Sequence, residues 1–143
     1  MREFEWLKIQ LSRELDLIPC SRKSSRFIYE NDHPIAHYSL ANRGGIKELT
    51  TVVVDPSHQG KKISYKIIEK CTEKTCVFTK HPALISALIK SGFEEKWWPG
   101  FVPFIVMMFE RTWRVVRMLI TLDWKRCLHQ CRHLFSYRMY IRH

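Results

Sequence analysis

The chain has 143 residues, of which 45% are hydrophobic and 13% aromatic, a composition typical of one packed globular domain that excludes a disordered chain. The formal net charge is +10, and most of the excess follows Glu110, where seven arginines and one lysine stand against one acid, Asp123. This basic segment favours an acidic partner such as nucleic acid or an acidic protein.

The start of the chain and its cysteines indicate a compartment. The first residues, "MREFEWLKIQ", place acids where a secretory signal needs a basic start and an apolar core, and the number of cysteines is odd. We therefore expect reduced thiols and a cytoplasmic protein. The longest apolar stretch, "FVPFIVMMFERTWRVVRMLITL", is interrupted by four charged residues, so no transmembrane segment is predicted.

The first half of the chain predicts one helix and three strands. The stretch "FEWLKIQLSRELDLI" has the apolar spacing of one helix face, with Phe4, Leu7, Leu11, Leu15 and Ile18, and it ends at Pro19. The following stretch, "RFIYENDHPIAHYSLANRGGIKELTTVVVDP", reads as three strands separated by turns at residues 31–34 and 44–45. These strands are expected to form a small antiparallel meander.

After Pro56 the apolar period changes to that of helices. The stretch "QGKKISYKIIEKCTEK" predicts a helix with one apolar face, formed by Ile63, Ile67, Ile68 and Cys71. The strand "TCVFT" follows, then the helix "HPALISALIKSGF", which Gly92 ends, and then the strands "KWW" and "FVPFIVMMF" around residues 99–100. The expected class is α/β (α+β), with helices flanking a mixed sheet.

The residues after Arg111 predict a basic amphipathic helical extension, residues 112–143, attached to a domain of residues 1–111. Basic side chains recur every three or four residues. The candidates for contact with a partner are Arg114, Arg117, Lys125 and Arg132. An apolar stripe lies mostly on the other side, and it includes Val116, Leu119, Ile120, Cys127, Cys131, Leu134 and Phe135.

Three functions of this extension stay open. The basic stripe fits contact with an RNA or DNA backbone, with Trp113, Trp124, Tyr137 and Tyr140 stacking on bases. Alternatively, the apolar stripe docks on the domain or on a second copy in a homo-oligomer. Binding to a membrane surface is the third alternative. A metal site in "CLHQCRH" is not predicted, because on a helix its cysteines share one face and its histidines another.

Two quoted stretches resemble the GCN5-related N-acetyltransferases, which are acyl-CoA-dependent. "ELTTVVVDPSHQGKKISYKIIEK" has that family's strand ending in V-x-P and part of its loop (Q/R)-x-x-G-x-(G/A), and "HPALISALIKSGF" has its Gly-Phe helix end. The resemblance covers roughly residues 26–111. It implies the acyltransferase fold, with a mixed, mostly antiparallel sheet, and transfer of an acetyl group from acetyl-CoA to an amine, without a metal.

The resemblance also implies a cofactor site between strand and helix. The pyrophosphate of CoA would lie at the loop, and the expected cofactor-binding residues are Val52, Val54, Gln59, Gly60, Lys61, Lys62, Ile63, Ser64 and His81. Free N–H groups at a helix start favour such an anion. Two small motif positions are Lys62 and Ser64, and a lysine at the first can take helical dihedrals and point outward. The alternative interpretation is that this loop binds no cofactor and is merely the solvated start of an amphipathic helix.

Glu48 is the candidate general base. It lies eleven residues before Gln59, which is the offset of the strand glutamate that serves as base in members of this family. Strand alternation predicts that Glu48, Thr50, Val52 and Val54 share one face. The alternative for Glu48 is a structural carboxylate paired with Arg43 or Lys47.

The chain departs from the family at the general acid and at the N-terminus. Leu88 stands where the family usually has a tyrosine that protonates the CoA thiolate, and Tyr65, Tyr38 and His37 are the candidate replacements. Only one helix precedes the first strand, so the acceptor site lacks a wall unless the extension, another chain or a macromolecular acceptor closes it. The predicted function is N-acyl transfer to a nucleic-acid, tRNA-linked or protein amine. The alternative is a weak or inactive member that binds nucleic acid or protein.

Overall fold

The computed structural model describes residues 3–14, 17, 20–71, 74–133 and 136–142. In this part of the chain there are five α-helices and six strands. In chain order they are α1 (Glu3–Arg13), β1 (Ser25–Glu30), β2 (His33–Asn42), β3 (Lys47–Val54), α2 (Ile63–Glu69), β4 (Thr75–Thr79), α3 (Pro82–Lys90), β5 (Glu94–Glu95), α4 (Phe101–Ile120), α5 (Trp124–Arg132) and β6 (Arg138–Arg142). None of the described helices is both long and apolar enough to cross a bilayer.

The six strands form one mixed sheet in the order β1-β2-β3-β4-β6-β5. The predicted meander of β1, β2 and β3 is confirmed, and its first turn places Asn31 and Asp32 at positive φ, where their short polar side chains are tolerated. The β3–β4 pair is parallel, and every other neighbouring pair is antiparallel. The predicted fold class, a mostly antiparallel sheet flanked by helices, is therefore confirmed.

Helices α2 and α3 cover one face of the sheet. The predicted apolar face of α2 is confirmed, because Ile63, Ile67 and Ile68 are buried. They pack in the largest core cluster, which also contains Leu49 of β3, Val77 of β4, Leu88 of α3 and Tyr140 of β6. Burial of large apolar side chains stabilises the fold by about 1.5–3 kcal/mol each.

Helices α1 and α4 cover the opposite face. Trp6 and Leu7 of α1 pack with Val53 of β3, whereas Met107 of α4 packs with Ile141 of β6. Met107 is the one described α4 residue that is buried, so this long helix contacts the sheet along a narrow line. Leu15 and Ile18 of the predicted helix face, and Pro19 at its predicted end, lie outside the described residues.

A bulge at Thr51 interrupts the alternation of β3. In the β2–β3 pairing, Val53 lies opposite His37 but Thr50 lies opposite Ser39, so one residue is inserted, and Thr51 has a positive φ of 51°. The prediction that Glu48 shares a face with Val52 and Val54 is wrong for this reason. Val52 and Val54 pack on the α2–α3 side, whereas Glu48 reaches Arg114 of α4 on the other side.

The stretch predicted as the strand "FVPFIVMMF" is instead the first half of α4. Apolar residues occupy nearly every position, so neither a period of two nor a period of 3.6 is visible. Pro103 is tolerated because it lies in the first turn, where a missing N–H costs nothing. The strand predicted at "KWW" is also displaced, because β5 is Glu94–Glu95.

The segment after Arg111 is built into the sheet, unlike the predicted helical extension. Residue 111 lies inside α4, and α4 and α5 are followed by β6, which inserts between β4 and β5. Tyr140 and Ile141 of β6 are 1% and 2% exposed. The expected apolar contacts of Leu134 and Phe135 lie outside the described residues.

Candidate acyl-CoA and acceptor cleft

A large cleft in the described part of the chain lies where β3 and β4 separate. Their parallel pairing covers three residue pairs and stops at Leu49–Val77, after which the bulge at Thr51 turns β3 away. The resulting cleft has a volume of about 930 Å³. It is lined on one side by residues 50–54 and on the other by residues 78–84, and it reaches the loop before α2. This volume accommodates a ligand of substantial size.

Most of the residues predicted to bind a cofactor line this cleft. They are Val52, Val54, Gln59, Gly60, Lys62, Ile63, Ser64 and His81. Lys61 does not line it. The hydrogen bond from His58 lowers the pKa of Glu30, and the charge of Lys61 lowers it further, so Lys61 lies near Glu30. The bulge allows Val52 and Val54, but not Glu48, to face the loop side.

Lys62 adopts the left-handed conformation of a glycine. Its φ and ψ are 57° and 24°, and it caps α2 without a side-chain hydrogen bond to the helix. The helical dihedrals that a lysine can take at this position are therefore not the ones observed. The backbone keeps the shape that a glycine favours, although a long side chain, which is exposed, starts from it.

The loop before α2 presents backbone donors. In the described part of the chain, no hydrogen bond is formed by the N–H groups of Gly60, Lys62, Ile63 and Ser64. The first N–H groups of a helix lack acceptors within the helix, and an anion is a suitable partner for them. These donors follow the end of β3, whereas Glu48 lies near its start.

Glu48 lines the other end of the cleft, where it is 3% exposed. Arg43 Nε donates a 2.7 Å hydrogen bond to Glu48 Oε2, and Arg114 Nη2 lies 3.8 Å from the same oxygen. The ion pair with Arg43 is the one that the sequence offered as the alternative to catalysis. Because Glu48 also borders the cleft, the two roles are compatible.

Arg111 and Arg114 line the cleft beside Glu48. The guanidinium carbon of Arg111 lies 4.2 Å from the centre of the Phe78 ring, and Arg114 is 20% exposed at its side chain. Burial lowers the pKa of Arg114, an effect opposed by the charge of Glu48 and reinforced by Arg43 and Arg111. Arg114 belongs to the basic stripe predicted from the sequence, whereas Arg111 does not. The signal that could have paired them is their spacing of three residues on a helix.

One of the three candidate general acids lines the cleft. Tyr65 does so, whereas Tyr38 is 5% exposed in the core. His37 is fully buried, its Nδ1–H donates to the carbonyl of Thr51 at 3.0 Å, and burial lowers its pKa. Leu88, at the position of the usual tyrosine, is also fully buried. Tyr137, which the sequence offered for stacking on bases, instead lines the cleft beside Lys80.

The helices after Arg111 provide the wall that the sequence left missing. Cys127 and Cys131 of α5 line the cleft, as do Glu14 and Leu17, which follow α1. Arg126 of α5 is 7% exposed and donates to the carbonyl oxygens of Leu11 and Leu17. Asp123 also accepts from Arg126 at 3.1 Å, so the guanidinium joins α5 to the chain around α1.

The outer side of α4 and α5 has basic and apolar parts. Arg117, Lys125 and Arg132 are exposed, in contrast to Arg114. Of the aromatic residues expected to stack on bases, Trp113 and Trp124 are exposed, whereas Tyr140 is a core residue. The exposed apolar residues of α4 include Phe101, Ile105, Phe109, Val116 and Ile120. In the described residues this apolar face does not dock on the sheet.

Comparisons with known proteins give structural relatives but no sequence relatives. No family model and no curated protein matches the chain. The structure of N-acetylglutamate synthase from Neisseria gonorrhoeae, complexed with coenzyme A and N-acetyl-glutamate, aligns with 99% of the chain at a TM-score of 0.61 and 10% identity. The chain spans 33% of the length of that enzyme chain.

A second solved structure, Rv2747 from Mycobacterium tuberculosis in complex with CoA and NLQ, aligns with 96% of the chain and 91% of its own length. Its TM-score is 0.60 and its identity 13%. At these identities the similarity concerns the fold. The fold predicted from the sequence, that of the GCN5-related N-acetyltransferases, is thereby confirmed.

Proposed function

We propose that the protein is an acyl-CoA-dependent N-acyltransferase that transfers an acetyl group from acetyl-CoA to an amine. The observation that carries the proposal is the gap between β3 and β4, which continues as one cleft from Glu48 to the loop before α2. A pantetheine arm fits such a gap, because the strand edges there offer backbone groups to an extended ligand. Both aligned structures are complexes with CoA.

The cofactor end of the cleft suits a pyrophosphate. Four N–H groups of the loop and first turn of α2 are available there, and Lys62 adds a positive charge nearby. Val52 and Val54 line the path between this loop and the acyl end. The left-handed conformation of Lys62 supports binding, because it preserves the backbone shape of the motif glycine.

Glu48 is proposed as the general base, acting directly or through a water. It accepts the proton of the amine as the nitrogen bonds to the acetyl carbonyl carbon, and the C–S bond then breaks. The CoA thiolate leaves and takes up a proton. Tyr65 and Tyr137, which both line the cleft, are the candidate sources of this proton. Since a thiolate is a good leaving group, a weak acid is sufficient for this step.

Titration with acetyl-CoA tests this function. Binding to the folded state alone raises the free energy of unfolding by about 2.7 kcal/mol at a hundred-fold excess over Kd. The expected rise in melting temperature is on the order of 5–10 °C. Ser64→Glu, which places a carboxylate at the loop, should abolish the rise, whereas Lys90→Gln changes the net charge equally on an exposed site and should retain it. No binding at millimolar acetyl-CoA overturns the proposal.

A catalytically weak or inactive binding protein is the second candidate. Two observations favour it: Leu88 is buried in the core where a tyrosine acid would stand, and Lys62 occupies a motif position that usually has no side chain. Binding of acetyl-CoA without release of CoA in the presence of any amine supports this candidate. Release of CoA that depends on an added amine contradicts it.

The acceptor classes predicted from the sequence, nucleic acid, tRNA-linked amines and protein, depend on the outer basic surface. Arg117, Lys125 and Arg132 are exposed there and support contact with a polyanion. Truncation after Arg111 is unsuitable as a test because it removes β6 from the sheet. Replacing the three basic residues by glutamine should instead reduce the salt dependence of RNA or DNA binding. An unchanged salt dependence contradicts this acceptor class.

Self-association is proposed for the apolar face of α4. Side chains such as Phe109, which is 72% exposed, and Ile120, which is 74% exposed, favour burial against a second copy. Sedimentation of the full chain should detect a dimer or larger oligomer that Phe109→Glu dissociates. A monomer at micromolar concentration contradicts this part of the proposal.

A further inference from the structure

Arg111 and Arg114 project from one side of α4 toward the acceptor end of the cleft. They are three residues apart on a helix, so their side chains are neighbours. Both border the same cleft as Glu48. Two guanidinium groups therefore lie beside Glu48, the proposed base that accepts a proton from the acceptor amine.

The donors of these two arginines are not used within the described part of the protein. Arg111 stacks on the ring of Phe78, a contact with the guanidinium plane that leaves its N–H groups available. The 3.8 Å separation between Arg114 and Glu48 is too long for a hydrogen bond. No other hydrogen bond of either guanidinium to a described residue is present.

The charges at this end of the cleft do not balance. Glu48 already accepts the short hydrogen bond from Arg43, which also lies 3.7 Å from Glu110. Three guanidinium groups, those of Arg43, Arg111 and Arg114, thus meet two carboxylates here, Glu48 and Glu110, which leaves one positive charge in excess at a partly buried site. A further carboxylate, Glu14, lines the cleft elsewhere. A site with this excess of positive charge gains free energy when a ligand brings an anion.

We propose that Arg111 and Arg114 bind the carboxylate of the acceptor, which is a free amino acid whose amine lies toward Glu48. This proposal rests on the proposed transferase function, which it deepens. Paired guanidinium groups suit a carboxylate, because their planar N–H forks match its two oxygens. A neutral amine has no group that fills this part of the cleft.

The walls of the cleft favour a small acceptor over a polyanion. Val115 and Met118 of α4 line it, and Cys127 and Leu17 border it from α5 and the chain after α1. The exposed cations that suit nucleic acid, such as Lys125, lie on the outer side. The arginines in the cleft and those on the surface therefore serve different ligands.

Thermal unfolding with product-like probes tests the proposal without catalysis. The probes are the N-acetyl derivatives of the standard L-amino acids at millimolar concentration, each beside its carboxamide, with inorganic phosphate and a short RNA as separate arms. At least one acid is expected to raise the melting temperature while its matched amide does not. The proposal is overturned if no acid raises the melting temperature or if the amides raise it as much as the acids. It is also overturned if phosphate or RNA raises the melting temperature and the acids do not.

Variants of the two arginines test where the stabilising acid binds. Arg111→Gln and Arg114→Gln should each weaken binding of the stabilising acid by about 10-fold to 100-fold, the loss typical of a charge-assisted hydrogen bond. Lys90→Gln carries the same charge change on an exposed site outside the cleft and should bind the acid as the unaltered protein does. Equal weakening by Lys90→Gln contradicts the assignment. If Arg114→Gln fails to fold, the carboxylate site is still tested by Arg111→Gln and by the comparison of each acid with its amide.

The acetyl-CoA arm separates this proposal from the proposed function. Both arginine variants should retain the rise in melting temperature that acetyl-CoA produces, because the cofactor loop is at the other end of the cleft. If acetyl-CoA does not stabilise the unaltered protein, the transferase function fails, while a difference between acid and amide still supports the carboxylate site. If acetyl-CoA stabilises it and the acids do not, the carboxylate site alone is wrong.

Discussion

Arg43 donates to Glu48 across the β2–β3 turn at 2.7 Å, and the two side chains are 12% and 3% exposed. A carboxylate this deeply buried needs a partner, because an unpaired buried charge is costly. The same side chain borders the cleft. Arg43 therefore fixes the position of Glu48 at the end of the cleft where the amine is expected.

The Glu48→Gln variant should lose activity but not structure. Glutamine keeps an oxygen that accepts from Arg43 but is not a base, so we expect kcat to fall by about 10²–10⁴-fold. Stabilisation by acetyl-CoA should persist, since the loop before α2 is unchanged. Release of CoA measured as free thiol gives the rate, and Glu14→Gln, elsewhere on the cleft wall, is the matched control. A rate equal to that of the unaltered protein shows that Glu48 is not the base.

Lys62→Gly should stabilise the protein. A lysine at φ 57° pays a steric cost that glycine does not, and we expect the free energy of unfolding to rise by about 0.5–1 kcal/mol. Chemical denaturation measures the change. Lys66→Gly, the same substitution inside α2, should instead destabilise by about 1 kcal/mol. Destabilisation by both substitutions argues against a strained Lys62.

Arg126→Met should loosen α5 and destabilise the fold. Methionine retains much of the apolar stem but loses the donors to Leu11 and Leu17, a loss of about 2–4 kcal/mol in the free energy of unfolding. Hydrogen exchange should become faster in α5 than in α2. Lys125→Met, on the exposed side of the same helix, should leave both quantities nearly unchanged. Equal exchange in α5 with and without Arg126 contradicts the anchoring role.

Because His37 is buried, we expect the free energy of unfolding to decrease below pH 6.5, the ordinary pKa of a histidine. Burial lowers its pKa in the folded state, although the hydrogen bond to Thr51 acts in the opposite direction. As the pH falls below 6.5, the unfolded chain binds a proton before the folded protein does, so the free energy of unfolding decreases. At higher pH the residue is neutral in both states, and the effect vanishes.

Denaturation curves at several pH values check this linkage. The His37→Asn variant should flatten the decrease in stability below pH 6.5, whatever its stability at neutral pH. His33→Asn, which changes an exposed histidine, should keep the slope. An unaltered slope in the His37 variant shows that other groups cause the acid destabilisation.

The central part of the fold was predictable because its patterns are local. The alternating strands of the meander, the apolar face of α2 and Gly92 at the end of α3 each depend on neighbouring residues. The strand predicted at "TCVFT" coincides with β4, Thr75–Thr79. The loop before α2 could likewise be located from a short motif.

The remaining features depend on contacts distant in sequence. The apolar run in α4 fits a helix and a strand equally well, and β6 occupies the place in the sheet that the predicted strand would have taken. The bulge at Thr51 has no local signal, since a β-branched residue is unfavourable at positive φ. Glu48 could be named from sequence, but its partners Arg43 and Arg114 meet only in the folded chain.

The position of β6 has a consequence for synthesis on the ribosome. Its residues are made after those of every other strand, yet they pair with β4 on one side and β5 on the other. At the usual rate of about 5–20 residues per second, roughly 3–12 s pass between the emergence of Thr79 and that of Arg142. During this interval the nascent sheet remains divided, with the edge of β4 available to chaperones or to another nascent chain.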